Sequence, residues 1–298
     1  MKESGLKVKK AVIAVAGYGT RFLPATKAVP KELLPIVDKP IVQYLVEEAI
    51  QSGIEDIILV TRDGASSIED HFDSSRALEA HLAEQKNDDY LELIRKLPRM
   101  ANFAYVRQAK HLPYGNGSPL LAAKSFIDRS EPFVYMFGDD LVMSEKPCVK
   151  QLIELYERHD PAAVIAFQSI ERSETYRYGV AKIKDETEPK EMESIVEKPA
   201  PDDAPSTLAQ IGRFVFSSDV IGILEQIDVA SGNELYLTDA IAVLCRESKV
   251  LVHPIEGQWY TTGDPLRYLM TNVAYALEHA EIGKNFAEYL RSLDLSTP

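Results

Sequence analysis

Cysteine is almost missing from this chain. Cys148 and Cys245 are the only two, far apart and in no CxxC spacing. A disulfide framework or a cysteine-ligated zinc site is therefore disfavoured, and both read as reduced packing thiols in a reducing compartment. Long apolar runs are lacking too. No stretch approaches the roughly 18 residues that span a bilayer. The apolar segment 11–16, which follows a basic start at 1–10, is too short for a signal peptide. No membrane partner is expected, and the chain reads as soluble and cytoplasmic. Positive charge is in deficit: 33 Lys and Arg face 46 Asp and Glu, a net charge of −13. A nucleic-acid partner needs a basic face, so that class is disfavoured. A small anion needs only a few local cations, and the first forty residues supply Lys9, Lys10, Arg21, Lys27, Lys31 and Lys39.

Short apolar runs rich in β-branched residues occur at 11–16, 56–60, 103–106, 132–137 and 163–167. Each has the length of a buried strand. Helical patterns lie between them, at 41–52, 67–73, 118–126 and 148–158. That alternation predicts an α/β fold with a Rossmann-like, mixed but mostly parallel sheet flanked by helices. Residues 74–98 are charged and helix-prone, and read as a helical excursion. Alternation at 178–184 and 193–196, with a short strand at 213–216, predicts an antiparallel β addition. A further helix is expected at 265–280.

The densest signal is residues 11–44, AVIAVAGYGTRFLPATKAVPKELLPIVDKPIVQY. A buried strand ends at Ala16, and Gly17 and Gly19 follow. Glycines let backbone N–H groups approach phosphate oxygens. Arg21 offers a planar fork to an anion and Lys31 a point charge. Pro24, Pro30 and Pro35 restrain the loop. Taken alone, a GxG after a strand suits a turn as well as a phosphate cradle. The segment is neither a Walker A loop nor GxGxxG, because Phe22 takes the third glycine's place. A second signal is Gly138-Asp139-Asp140 at the end of a buried strand, where α/β folds bind ligands. A carboxylate there suits Mg²⁺, although such residues also make ordinary turns.

The whole string resembles the signature of nucleotidyltransferases that activate sugar 1-phosphates, GxGTRxxPxTxxxPKxxxPxxxKP, with every fixed position filled from Gly17 to Pro40. Its wording is especially similar to bacterial UTP–glucose-1-phosphate uridylyltransferases. The resemblance runs from residue 8 to about 280 and includes Tyr178-Gly179-Val180, Glu197-Lys198-Pro199, Gly212-Arg213 and Leu237-Thr238-Asp239-Ala240-Ile241. It implies one nucleotidyltransferase domain over 1–298: a nucleotide-binding half (8–170), a sugar-binding half (171–264) and C-terminal helices (265–298). By the same resemblance Ala16, Gly17, Gly19, Thr20, Gln108, Gly115 and Gly117 hold the nucleotide, with Gln108 reading the uracil edge. Gly179, Glu197 and Lys198 meet the sugar phosphate. Arg21, Lys31 and Lys198 are the catalytic cations, and Asp139 carries Mg²⁺, with Asp140 and Asp264 as weaker alternatives. The excursion, which contains HFDSSRALEAHL, favours UTP over dTTP by analogy.

Two segments depart from the pattern. Gly115-Asn116-Gly117-Ser118-Pro119 stands where the family has GLGHA, which puts base and ribose contacts in doubt. Thr261, in Tyr260-Thr261-Thr262-Gly263, replaces the Asp of a YDTG-like segment. A hydroxyl is a poor Mg²⁺ ligand beside a carboxylate. The implied reaction joins UTP and glucose 1-phosphate into UDP-glucose and pyrophosphate, by alignment and charge neutralisation. The alternatives are a weak or silent relative that binds UDP-sugar, or an enzyme using dTTP or galactose 1-phosphate. A homodimer or homotetramer is implied by the resemblance only.

Overall fold

The structure is a computed structural model that describes residues 7–229 and 233–294. Most of the basic start and the last four residues of the expected C-terminal part lie outside the described residues. The first apolar runs become strands β1 (Lys10–Val15), β2 (Asp56–Thr61), β3 (Asn102–Arg107) and β4 (Phe133–Phe137). They pair in parallel in the order β4-β1-β2-β3. Alternate β1 residues feed two cores, Ala11, Ile13 and Val15 on one face and Val12 on the other. Burial on both faces is why the run is continuously apolar. Each fully buried aliphatic side chain contributes about 1.5–3 kcal/mol.

Helices cover the sheet, among them α1 (Ile41–Gln51). The helical pattern at 67–73 forms α2, which runs Ser66–His71, and the excursion is two helices, α3 (Arg76–Glu84) and α4 (Asp88–Lys96), packed on each other. The helix expected at 118–126 stops early: α5 is Ser118–Ala123, and a 3₁₀ turn covers Lys124–Phe126. Past β4, the turn residue Asp140 opens a strand unforeseen in the sequence, β5 (Asp140–Met143). Next come α6 (Cys148–His159) and β6 (Ala163–Ser169). The antiparallel addition is β7 (Gly179–Ile183), β8 (Met192–Glu197) and β9 (Leu208–Phe216). Here β9 is longer than expected. Gln210 and Gly212 interrupt its apolar pattern, yet it bridges β4, β6 and β7.

The C-terminal part comprises α7 (Asp219–Gln226), α8 (Leu237–Glu247), β10 (Val250–Pro254), β11 (Gln258–Thr261), α9 (Pro265–Glu278) and α10 (Gly283–Ser292). Strand β11 pairs with β5 and sets Thr261 opposite Asp140. This returns the chain's end to the β4 terminus. Among the described residues, no helix is long and apolar enough to cross a membrane.

Candidate active site

The loops after β1, β2, β3 and β4 surround a cavity of about 760 Å³ at the carboxyl ends of the parallel strands. Open α/β sheets bind ligands at that edge. The loop after β1 turns at Gly19, whose φ of 64° is left-handed. Thr26 Oγ1 donates to the Gly19 carbonyl at 2.7 Å. A Cβ on Gly17 would lie 3.3 Å from Lys31 Cε, and one on Gly19 3.1 Å from Lys31 Cβ. The glycine loop is thus folded closely around the Lys31 stem.

Lys31 Nζ donates to Asp139 Oδ2 at 2.6 Å and lies 4.0 Å from Glu32 Oε1. Burial alone would lower the Lys31 pKa, but Asp139 and then Glu32 outweigh it and hold the ammonium above its usual range. Burial likewise pulls Asp139 up, and Lys31 overrides it, leaving the carboxylate below its ordinary value. Glu32 goes the other way: burial, only partly offset by Lys31, pushes it up to about 7. Arg21 donates to the Gly263 carbonyl at 3.1 Å, while the Thr262 N–H and hydroxyl donate to the Asp139 carbonyl at 2.7 and 3.0 Å. The β11 end therefore clamps the Asp139 loop against Arg21.

Of the residues singled out in the sequence, Ala16, Gly17, Arg21, Lys31 and Gln108 line the cavity, as do Gly115, Asp139 and Lys198. Gly19 and Thr20 shape the loop without lining it. Gly115 has φ 131°, and a Cβ there would fall 2.3 Å from the Leu235 carbonyl oxygen, so only glycine fits. Gly117 faces Leu224 and Leu235 instead of the cavity. The intervening Asn116 is tied on both sides. Its carbonyl accepts from the Tyr135 hydroxyl at 2.7 Å, and its side chain accepts from the Leu237 N–H at 2.7 Å.

Glu197 and Gly179 pair across β7 and β8, and neither lines the cavity that the adjoining Lys198 reaches. The Thr238 hydroxyl donates to Glu197 Oε2 at 2.6 Å. Lys198 has a left-handed φ of 47°, rare for a residue with a side chain. Its ammonium lies over the Tyr236 ring, 4.9 Å from the centroid.

Asp140 and Asp264, the weaker metal alternatives, are committed elsewhere. Asp140 accepts from Trp259 Nε1 at 2.8 Å and from the Gly212 N–H at 3.1 Å. Burial and then Asp139 push its carboxyl up to about 6. Asp264 caps α9 by accepting from the Arg267 N–H at 3.0 Å, and it pairs with Arg177 at 2.8 Å. Slight burial would raise Asp264, but the Arg267 N–H and the two guanidiniums hold it down at about 2. Thr261 lies against the Asp139 carbonyl at 3.5 Å.

Among the described residues, no three His, Cys, Asp or Glu side chains converge into a metal cage. Four carboxylate residues line the cavity, Glu32, Asp63, Asp139 and Glu234, and Asp139 is the one just past the end of β4, beside Lys31. Mg²⁺ commonly binds through one or two carboxylates plus substrate phosphates and water. The donor set therefore fits a metal that arrives with a polyphosphate.

Sequence reasoning passed over Glu32, Tyr18 and Arg62, which also line the cavity. The Arg62 guanidinium lies over the Tyr18 ring, 5.3 Å from its centroid. Glu32 had a visible signal, a second charge inside the proline-bracketed Lys31 motif. Nothing local marks Arg62, which the end of β2 delivers from about thirty residues downstream of the loop.

A glycine-bent loop around a half-buried lysine, facing an acidic strand end, is the site of a nucleotide-handling transferase. A nucleotidyl transferase profile matches residues 10–278, and the chain belongs to that family. It is 41% identical over 288 residues to the UTP–glucose-1-phosphate uridylyltransferase of Bacillus subtilis (strain 168), covering 96% of this chain and 97% of the relative. Two solved structures are similar throughout. One is UTP-bound UGPase from Acinetobacter baumannii, with TM-score 0.87, 35% identity and coverage of 96% of this chain and all of the other. The other is a UDP-glucose pyrophosphorylase complexed with UDP-glucose, with TM-score 0.81, 34% identity, and 91% and 100% coverage.

Proposed function

We propose that this chain transfers UMP from UTP to glucose 1-phosphate, giving UDP-glucose and pyrophosphate. The observation that carries this reading is the convergence of Arg21, Lys31 and Asp139 at one cavity, beneath a backbone loop that turns left-handed at Gly19 and lies against the Lys31 side chain at Gly17. Cations and amides suit a triphosphate. The relatives' UTP and UDP-glucose complexes supply the identity of base and sugar.

On this reading residues 8–170 form the nucleotide half and 171–264 the sugar half, joined where Lys198 reaches the cavity. UTP lies along Ala16–Arg21, with its base toward Gln108 and Gly115. Glucose 1-phosphate docks by Gly179 and Glu197, its phosphate facing Lys198. One phosphate oxygen attacks the α-phosphorus in line. The new P–O bond forms as the α–β bridge breaks, and pyrophosphate carries off the bond's electron pair. The nucleophile is already an anion near neutral pH, so no general base is needed. Arg21 neutralises the leaving group, and Lys31 and Lys198 offset charge on the α-phosphate and the sugar phosphate. Asp139 would hold Mg²⁺, which supplies further neutralisation of the triphosphate when bound. Lys198 is pre-aimed by its left-handed backbone, and Glu197 by Thr238.

The test is pyrophosphate release by purified protein with Mg²⁺, over a panel of UTP, dTTP, glucose 1-phosphate and galactose 1-phosphate. The proposal expects turnover with UTP and glucose 1-phosphate well above the other pairs. Turnover with no pair, alongside retained UDP-glucose binding, would select the silent-relative reading that Thr261 motivates.

A further inference from the structure

Buried polar atoms nearly always find partners. Among the described residues, five buried side-chain atoms have none, and three of them line this cavity: both carboxyl oxygens of Glu32 and Nε of Arg62. Glu32 is the stronger anomaly, since it is only 1% exposed. Room is kept for it by glycine: a Cβ at Gly138 would meet Glu32 Cγ at 3.2 Å. Of the cations that face it, Arg62 is turned to the Tyr18 ring. Lys31 Nζ lies 4.0 Å from one oxygen, held off by its 2.6 Å bond to Asp139. A carboxyl in that position is a reserve partner. A divalent cation arriving at Asp139 repels the ammonium already there, and a short swing of a flexible lysine carries it to Glu32. That swing also keeps Nζ under the glycine loop, since a Cβ at Gly17 would lie 3.8 Å from Nζ and 3.9 Å from Glu32 Oε1.

We propose that Glu32 is a positioning residue that takes over Lys31 when Asp139 turns to a metal, so that metal and lysine serve the nucleotide together instead of competing for one carboxylate. This rests on the proposed UTP and divalent-metal chemistry. Two measurements test it. UTP affinity is determined by calorimetry for wild type and Glu32→Gln, in EDTA and in Mg²⁺, without glucose 1-phosphate. The quantity read is the factor by which Mg²⁺ tightens UTP. The expected result is a factor roughly tenfold smaller in the variant, with affinity in EDTA unchanged. A residue that merely supports the fold would move both affinities together. Should Glu32→Gln fail to fold, Glu32→Asp withdraws the carboxylate by one methylene and is read the same way, with a smaller loss expected. The second measurement is a crystal structure of wild type with UTP and Mg²⁺. Lys31 should stand within hydrogen-bond distance of Glu32 and away from Asp139. A full metal effect in the variant, Lys31 still on metal-bound Asp139, or Glu32 itself on the metal would each overturn this inference alone. Wild type without affinity for UTP in either condition would overturn the proposed function as well.

Discussion

Replacing Glu48 by Gln isolates the electrostatic support beneath the site. Arg213 is wholly buried and Glu48 is 11% exposed, with Arg213 Nη2 at 2.7 Å from Glu48 Oε2 and Nε at 3.1 Å from both oxygens. At an effective dielectric near 20, a contact at that distance is worth about 6 kcal/mol of attraction. Desolvation of both ions consumes much of it. Removing one partner nevertheless strands the other charge in the core, at a cost of about 3–5 kcal/mol. Gln keeps one acceptor, so about 3 kcal/mol is expected, a fall in Tm of about 5 °C for a chain of 298 residues. The same guanidinium also donates to the Gly212 carbonyl at 3.0 Å and the Asp140 carbonyl at 2.8 Å, and so braces the residue after Asp139. The paired substitution Glu48→Leu with Arg213→Met removes both charges, and should return most of the stability. It should not return turnover, expected to stay roughly tenfold to a hundredfold low, because the Asp139 loop has lost its brace. Thermal melts and pyrophosphate release on the single and paired variants give both numbers. A single variant melting within about 2 °C of wild type, or a paired variant with full turnover, would refute the reasoning.

Other expectations follow from the same geometry. Arg21→Ala should lower kcat by about 10²–10³-fold, the usual loss when a preorganised charge stabiliser is removed, as read by steady-state pyrophosphate release. Asp264→Asn keeps an α9 cap acceptor but removes the charge that faces Arg177 and Arg267, so thermal melts should show a loss of no more than about 1 kcal/mol, while the Mg²⁺ concentration for half-maximal rate stays unchanged. Thr261→Asp should lower that concentration by roughly tenfold if position 261 lacks a ligand; an unaltered Mg²⁺ titration would remove the position from the metal site. Glu32 titrates at about 7 in the fold against 4.5 unfolded, so the folded state binds the extra proton. Its effect on stability is thus absent below about pH 4.5 and grows as a loss up to about pH 7, on the order of 3 kcal/mol in all. Glu32→Gln should therefore melt higher than wild type at pH 8 and equally at pH 4, in denaturant titrations at the two pH values.

The parallel core was legible because burial on both faces writes itself as unbroken β-branched runs, as in β1 and β2. Strand β9 was half hidden because it does three jobs: Phe214 and Phe216 pack one core, Arg213 carries the buried charge, and Gly212 yields space to Asp140. Each job calls for a different residue type, so no periodicity survives. Strands β5 and β11 were invisible for another reason. They stabilise each other, residue 140 against residue 261, and neither half has a pattern of its own.

The same logic divides the site. Residues of the loop from Gly17 to Lys31 act through backbone shape, and shape demands fixed glycines and prolines that can be read in a line. Glu197 and Lys198 are neighbours in sequence, but Thr238 lies far from them, and its bond to Glu197 is a property of the fold. Glu32 shows where linear reading fails even next to a strong motif. Its neighbour Lys31 looked sufficient as a phosphate cation, and only three dimensions reveal that this lysine is already bound to Asp139, the carboxylate proposed to hold the metal. Lys31 and the proposed metal both call on Asp139, while the buried Glu32 carboxyl beside them has no hydrogen-bond partner. The fold keeps that costly carboxyl at the edge of the cavity, and Glu32→Gln asks whether removing it exchanges metal response for stability.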